Sequence, residues 1–592
     1  MNNRNSLPGS VGVLLDAASA RSSWECGENA WFLYCPEILA HLGISYDTVA
    51  DLDSGTRSHR LLLAPAGVRP VSPAQLERAG RWIRSGGTLI LCGDPGALAA
   101  LAGVQPTGTV DEGHVVVADA PIWGPAPDLD LHAFGGVGLK PAGAEVVAYW
   151  RDTDRAAITY RLIGRGAVVC LGPDLWQSIV RIQQGWPIRM DGTPAEDGTV
   201  PVDDDILKCE DGLALSYSDD RGQAPGTEFR RPFRHEYPPN NAAPLFHRPQ
   251  ADIWRSLFAR VLWWAGERAG IPVPWLFYWP AGVEAVAHMS HDSDGNTDES
   301  ARDALAAFAE ADVAVTWCVM HPGGYSPSTY SEITAAGHEI ALHYNAMGDT
   351  QLDQWGPEFL EKQHSWLRDT AGIERAISNK NHYTRWEGWT QFFRWCESEG
   401  IEIDQSRGPS KQGDVGFTFG SCHPSFPMAG QEHRNRLIDV LSLPLHAQDL
   451  AWTTIVANRS VILDQARAQH GVAHFLFHGW NISRYDRLKA VIPATAAAAR
   501  HRGMPWWTSA EINSWERRRR QVRVSARSEP DRLVVQVDAA AELPEAAVLL
   551  PPLPRVSGVN GGSVSTVARH GREFLQLTAD VPAGRSSYLI RC

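Results

Sequence analysis

The stretch AHMSHDSDGN, residues 287–296, places charged side chains directly after a run of mostly small apolar residues. The run is typical of a buried strand that ends near His291. If the strand continues, alternation puts Asp292 and Asp294 on one side and Ser293 on the other. Two carboxylates can have separate roles only if their environments differ. We therefore expect one of them to bind a metal and the other to take a proton from water. A calcium loop is the alternative, but Gly295 comes too early for the EF-hand pattern.

Strand and helix patterns alternate on both sides of this stretch, over residues 276–515. This order predicts a (β/α) barrel of seven or eight strands. The active sites of such barrels are built where the strands end. Clustered neutral histidines gain little from packing there, so a metal or an acid–base site is predicted. The histidines at or just beyond the predicted strand ends are His291, His321, His343, His382, His423, His446 and His478.

The remaining sequence predicts three further regions, which make this an α/β multidomain protein. Residues 1–175 alternate as a flavodoxin-like parallel sheet with helices. Residues 176–275 form an irregular excursion that ends in an amphipathic connecting helix. Residues 516–592 show short alternating runs that predict a small β-sandwich.

Composition narrows the classes of partner. The formal net charge of -14 disfavours nucleic acid, which requires a basic face. No apolar run is long enough for a membrane span, and the absence of a signal-peptide pattern predicts a cytoplasmic protein. The nine cysteines form no C-x-x-C pair and are interpreted as reduced thiols. The 23 tryptophans either pack in the core or form platforms for sugar rings. The oligomeric state stays open.

Three motifs resemble those of the polysaccharide deacetylase superfamily, the NodB-homology or carbohydrate esterase 4-like fold. They are SHDSDG (290–295), GHEIALHYNAM (337–347) and FLFHG (475–479), and the resemblance covers about 284–510. It implies a metal-dependent hydrolase that removes N-acetyl groups from an amino-sugar polymer or oligosaccharide. The implied roles are Asp292 as catalytic base, Asp294 and His343 as metal ligands, and His478 as general acid.

Residues 1–175 resemble the glutamine-amidotransferase-like fold that serves as an accessory domain in sugar-active enzymes. The stretch LILCGDPG (89–96) lacks the Gly-x-Cys-x-Gly elbow of active amidotransferases. Cys92 is therefore interpreted as a packed thiol.

The chain departs from the deacetylase pattern at two places. Met347 stands where the family has its second histidine, and SNKNHYTRW (378–386) replaces the third motif. Because a thioether is a poor ligand for such an ion, we expect His382 to become the third ligand of a divalent metal, Zn²⁺ by preference. Arg385 is also expected to orient Asp292. The residues expected to contact the carbohydrate are Tyr383, Arg385, Trp386, His423 and His446.

Two other functions stay open. Met347 and the altered third motif also fit a non-catalytic carbohydrate-binding protein on a degenerate barrel. The missing signal pattern also fits a hydrolase of another C–N bond in a small cytosolic molecule. A zincin is excluded because His338 and His343 are five residues apart in a β-rich run. The motifs of serine hydrolases and of nucleotide-binding loops do not occur.

Overall fold

A computed structural model describes residues 7–68, 71–196, 199–201, 203–223, 244–410 and 413–591. The protein is of mixed α/β type, with a parallel half-barrel sheet and several other sheets. No helix within these ranges is both long and apolar enough to cross a bilayer. Cys92 is buried, and burial raises the pKa of its thiol well above the ordinary value, which fits a packed side chain.

The first sheet has eleven strands. They are β1 (Val11–Leu14), β2 (Tyr46–Val49), β3 (Leu61–Ala64), β4 (Thr88–Cys92), β5 (Val104–Thr109), β6 (Glu112–Val117), β7 (Leu131–Phe134), β8 (Val137–Pro141), β9 (Glu145–Trp150), β10 (Ala156–Ile163) and β11 (Gly166–Leu171). The helices of this region are α1 (Ala17–Glu25), α2 (Cys35–His41), α3 (Leu52–Ser58), α4 (Pro73–Arg84), α5 (Ala99–Ala102) and α6 (Leu175–Gln184).

This sheet differs from the prediction by being mixed. Strands β2, β1, β3, β4 and β11 are parallel neighbours, as the strand–helix alternation indicates. Strands β10, β9, β6 and β7 extend it in antiparallel order. The short connection between β10 and β11, with Gly164 at φ 59°, turns one strand directly into its antiparallel neighbour, so no crossover helix is needed.

The predicted excursion combines irregular backbone with one long helix. Residues 224–243 lie outside the described residues. The described elements are β12 (Gly222–Gln223), β13 (Pro244–Leu245) and α7 (Gln250–Ala269). The irregular part is fixed to the half-barrel, because Lys208 and Arg385 form a β-bridge and the Trp386 N–H donates to Leu207 O at 3.0 Å.

After β14 (Trp275–Leu276), the chain enters the half-barrel. Its strands are β15 (Val286–Asp292), β16 (Thr316–Met320), β17 (Glu339–Tyr344), β18 (Ser378–Asn381), β19 (Ile403–Asp404), β20 (Leu441–Ser442), β21 (Ala447–Gln448) and β22 (Val472–His478). Its helices are α8 (Asp298–Ala311), α9 (Pro327–Ala335), α10 (Pro357–Ala371), α11 (Gln391–Glu399), α12 (Asn458–Ala468), α13 (Gly479–Arg484) and α14 (Asp486–His501).

All eight strands are parallel, in the order β20-β19-β18-β17-β16-β15-β22-β21. The edge strands β20 and β21 do not pair with each other, so the sheet is an open half-barrel rather than the closed barrel of the prediction. The register sets Asp292 level with His478, and His343 level with Lys380. These side chains therefore meet at the carboxyl edge of the sheet.

The chain closes with α15 (Ser509–Arg520) and two four-stranded sheets. One sheet contains β23 (Val522–Glu529), β24 (Arg532–Ala539), β26 (Gly558–Asn560) and β29 (Gly584–Arg591); the other joins β14 to β25 (Leu543–Leu550), β27 (Ser563–Arg569) and β28 (Arg572–Val581). A single hydrophobic core includes Leu61 of the first sheet, Trp263 of α7 and Val548 of the sandwich.

Candidate metal centre

A tight turn after β15 presents the first acidic residues. Asp294, Gly295 and Asn296 have φ of 20°, 74° and 42°, so the strand does not continue through Asp294. The Ser293 hydroxyl accepts the Met320 N–H at 3.1 Å, and the Asn296 amide donates to Met320 O at 2.6 Å. These bonds fix the turn to the end of the neighbouring strand. Left-handed backbone at a residue other than glycine costs about 1–3 kcal/mol and is concentrated at functional sites.

Asp294, His343 and His382 form a group whose possible ligand atoms lie within 4.8 Å of one another. His343 Nε2 is 3.5 Å from Asp294 Oδ1, and both atoms are buried without a hydrogen bond. Burying polar atoms without partners is unfavourable, so such atoms directed at one point indicate a missing partner. One carboxylate oxygen and two imidazole nitrogens are donors that suit Zn²⁺. The residues present therefore fit a divalent ion.

The hydrogen bonds of the two histidines direct their other nitrogens into the site. His343 Nδ1 must donate to Lys380 O at 3.0 Å because a carbonyl only accepts, which leaves Nε2 with its lone pair. His382 Nδ1 lies 3.3 Å from Asn345 Oδ1. Burial, assisted by His343, lowers the pKa of His382 to about 4, so its imidazole is neutral as a ligand must be.

Electrostatics also favour an ionised Asp294. Burial opposes ionisation, but the contact with His343 and the positive charge of His478 hold the pKa of Asp294 well below its ordinary value. An ionised carboxylate at neutral pH is the form that binds a cation.

Two other groups of close donor atoms in the described ranges are already saturated. Asp220 accepts hydrogen bonds from the side chain of Gln250 and the backbone of Ser216, and pairs with His114 and His132. The second group is Asp252, Cys422 and His423, in which the Asp252 carboxylate pairs with Arg255 and accepts bonds from Ser421 and Cys422. Hydrogen bonds satisfy these carboxylates without an ion, in contrast to Asp294.

Asp292 lies beside the three candidate metal ligands, and three nitrogen atoms surround its carboxylate. Its Oδ2 is 3.7 Å from His343 Nε2, 3.9 Å from Lys380 Nζ and 3.9 Å from His478 Nε2. Lys380 Nζ is buried and makes no hydrogen bond, so this carboxylate is its electrostatic partner. The sequence analysis missed Lys380. The feature that points to Lys380 is its strand, Ser-Asn-Lys-Asn, which is entirely polar and yet fully buried.

Asp449 holds His478 by one ring nitrogen, while the other ring nitrogen faces Asp292. The Asp449 carboxylate accepts from His478 Nδ1 at 2.7 Å and from the His478 backbone N–H at 3.0 Å, and from Asn481 at 2.8 Å. Burial opposes protonation, but Asp449 first, and then Asp294 and Asp292, raise the pKa of His478 to about 10. His478 is therefore a proton donor whose Nε2 faces Asp292.

Asp292, Asp294, Lys380, His382, Asp449 and His478 line a pocket of about 250 Å³. Tyr383, a predicted substrate contact, lies in its wall with 46% of its surface exposed and a left-handed backbone at φ 60°. Lys208 from the irregular excursion and Trp480 from α13 also belong to the lining.

Four predicted substrate residues are placed elsewhere. Trp386 is fully buried and donates to Trp389 O at 3.0 Å. Arg385 pairs with Glu387 and donates to Ala346 O, so it does not orient Asp292. His423 and His446 are buried and bonded to the carbonyls of Gln469 and Ser421. None of these four residues lines the pocket, although Arg385 and Trp386 directly follow Tyr383 and Thr384, which do.

The other histidines of the predicted strand-end cluster are also structural. His291 bonds to Phe477 O at 2.9 Å and packs against Trp317, whereas His321 pairs with Asp353 at 2.8 Å. Of the seven histidines, His382 and His478 line the pocket, and the buried His343 lies behind Asp294 with its Nε2 3.5 Å from Asp294 Oδ1. Met347, which replaces the family's second histidine, follows Asn345, whose side-chain oxygen accepts the Met347 N–H at 3.1 Å.

No family model and no curated protein matches the chain. A candidate polysaccharide deacetylase from Mycobacterium smegmatis matches with a TM-score of 0.31 and 16% identity, over 41% of this chain and 93% of that one. A family 4 carbohydrate esterase from Bacillus anthracis matches with a TM-score of 0.25 and 11% identity, over 40% of this chain and 86% of that one. A β-galactosidase from Bacillus circulans sp. alkalophilus matches with a TM-score of 0.23 and 14% identity, over 29% of this chain and 30% of that one.

The chain thus spans under a third of the length of the β-galactosidases it matches. All these TM-scores are low, so the functional argument rests on the side chains of the pocket.

Proposed function

We propose that the protein is a metal-dependent hydrolase that removes an N-acetyl group from an amino sugar of a polymer or oligosaccharide. The observation that carries the proposal is the pair of buried atoms without hydrogen bonds, Asp294 Oδ1 and His343 Nε2, next to His382. A carboxylate and a protonated imidazole flank this group. The names of the deacetylase and carbohydrate esterase neighbours agree with the proposal but do not carry it.

Asp294, His343 and His382 would hold the ion, Zn²⁺ by preference. When bound, such an ion polarises a carbonyl and lowers the pKa of water to about 7. Asp292 takes the proton of the attacking water. Its carboxylate stays in place because Lys380 lies 3.9 Å away.

His478 supplies the second proton. The water oxygen bonds to the amide carbon, the C–N bond breaks, and the nitrogen receives the proton of His478 Nε2. Without that proton the amine would be a very poor leaving group. Acetate and a free amino sugar are the products, and the proton on Asp292 returns to solvent or to His478.

Metal content and acetate release test the two halves of the proposal separately. We expect Asp294→Ala, His343→Ala and His382→Ala each to lose the stoichiometric zinc of the wild-type protein. Asp292→Asn and His478→Ala should keep zinc and lose about 10²–10⁴-fold in turnover of an N-acetylglucosamine tetramer.

The matched control is His321→Asn, since His321 also follows a strand end but pairs with Asp353. It should keep both zinc and activity. Full zinc occupancy in the His382 variant would remove that residue from the ligand set. Wild-type turnover in the Asp292 or His478 variant would remove that residue from the reaction.

A further inference from the structure

Two arginines lie over aromatic rings beside the pocket. The guanidinium carbon of Arg484 is 3.7 Å from the ring centre of Trp480, and that of Arg487 is 4.6 Å from the ring centre of Trp452. Trp452 stacks in turn on Tyr485, with ring centres 4.0 Å apart. We call these five residues the arginine–aromatic rim.

The rim adjoins the reacting groups. Trp480 lines the pocket and is half exposed, and the next residue, Asn481, donates to the Asp449 carboxylate that holds His478. On the other side, Thr453 lines the pocket directly after Trp452. A sugar bonded to the one that carries the amide would leave the pocket over these residues.

The stacked arginines have no carboxylate partner. Across the described ranges, neither Arg484 nor Arg487 forms an ion pair or a hydrogen bond, and both are exposed. Stacking fixes the plane of a guanidinium while its N–H groups stay available, and such a fork matches a carboxylate or a sulfate with two hydrogen bonds. Most other arginines near acidic side chains in this protein, such as Arg517 and Arg502, are paired.

Lys208 and Lys380 also line the pocket, but they pair with Asp204 and Asp292. Among the described residues around this mouth, Arg484 and Arg487 are therefore cations without a carboxylate partner. The protein as a whole has a formal net charge of -14. Local cations at a cleft attract anionic ligands even when the rest of the surface is acidic.

We propose that the substrate is an acidic glycan, in which a sugar next to the N-acetylated one carries a carboxylate or a sulfate that Arg484 and Arg487 bind. The inference rests on the proposed deacetylase function and adds the chemical class of its substrate.

Three tetrasaccharides of equal length test this: an N-acetylglucosamine tetramer, one alternating glucuronate with N-acetylglucosamine, and a sulfated N-acetylglucosamine tetramer. Binding is measured by calorimetry on the zinc-loaded protein, and acetate release is followed in parallel. We expect at least one acidic tetramer to have a Kd and KM about tenfold or more below those of the neutral one, the gain typical of a charge-assisted pair. Which acidic tetramer binds identifies the anion.

The variant Arg484→Gln/Arg487→Gln should abolish this preference while zinc content stays the same. Arg467→Gln is the control. Arg467 is exposed near the end of α12, just before the amino end of β22, whereas the pocket lies at the carboxyl ends of the strands. Equal binding of acidic and neutral tetramers, no binding of either acidic one, or a preference that survives in the double variant would each overturn the inference. Arginine-dependent binding without acetate release would instead overturn the hydrolase and leave the anion site standing.

Discussion

Replacing Asp449 by asparagine removes one negative charge from beside His478 and keeps a side chain of the same shape. Asp449 Oδ2 is 2.7 Å from His478 Nδ1, and Asp449 is the largest cause that raises the pKa of His478 to about 10. Relative to the ordinary 6.5, that shift corresponds to about 5 kcal/mol in favour of the imidazolium. We expect Asp449→Asn to remove more than half of it, and so to lower the pKa by at least about 2 units.

The assay is an NMR titration of ¹³C-labelled histidine in the zinc-loaded protein, together with the pH profile of kcat/KM. Loss of the proton from His478 sets the alkaline limb of that profile, so the limb should move toward neutral pH by the same amount. Because a bound divalent ion would lower the pKa of His478 in both proteins, the difference between them is the quantity to compare.

Asp404→Asn is the matched control, since Asp404 is a buried carboxylate on β19 that accepts from Asn379 and Ser406 and does not contact His478. Its profile should match that of the wild-type protein. An unchanged titration of His478 in Asp449→Asn would refute the assignment of His478 as a general acid held protonated by Asp449.

Three further predictions concern charge and burial. Lys380→Met removes a cation that lies 3.9 Å from the Asp292 carboxylate, and should lower kcat about tenfold or more while zinc is retained. Metal analysis and acetate release measure the two effects, and Lys380→Arg should recover part of the rate. Glu516→Gln leaves two buried arginines without their shared carboxylate and should lower the free energy of unfolding by about 3–5 kcal/mol in urea titrations, whereas a change under 1 kcal/mol would contradict the buried pairing. Burial lowers the pKa of several histidines, among them His288, His446 and His470, to about 4, 4 and 3, so their neutral form is favoured on folding. The contribution of these histidines to stability is complete above pH 6.5 and falls by about 1.4 kcal/mol per histidine and pH unit from there to about pH 4. Unfolding free energies that agree at pH 7.5 and 5.5 would refute this.

The sequence alone determined the local features of this protein. Runs of apolar residues predict β15, with an end near His291, and β22, with an end at His478. The abrupt charge after the first run marks Asp292 and Asp294 as candidate site residues, but the turn at Asp294 replaces the continued strand of the prediction. These properties depend on neighbours along the chain.

Only the tertiary structure decided which strand ends meet. Seven histidines look equivalent in the sequence, yet only His382 and His478 of these line the pocket and His343 joins them through Asp294, because strand order and register determine which strand ends meet. The same register brings Lys380 to Asp292, and the loop after β21 brings Asp449 to His478. Distances across a sheet are set by pairing between segments far apart in the chain, and no local pattern encodes them.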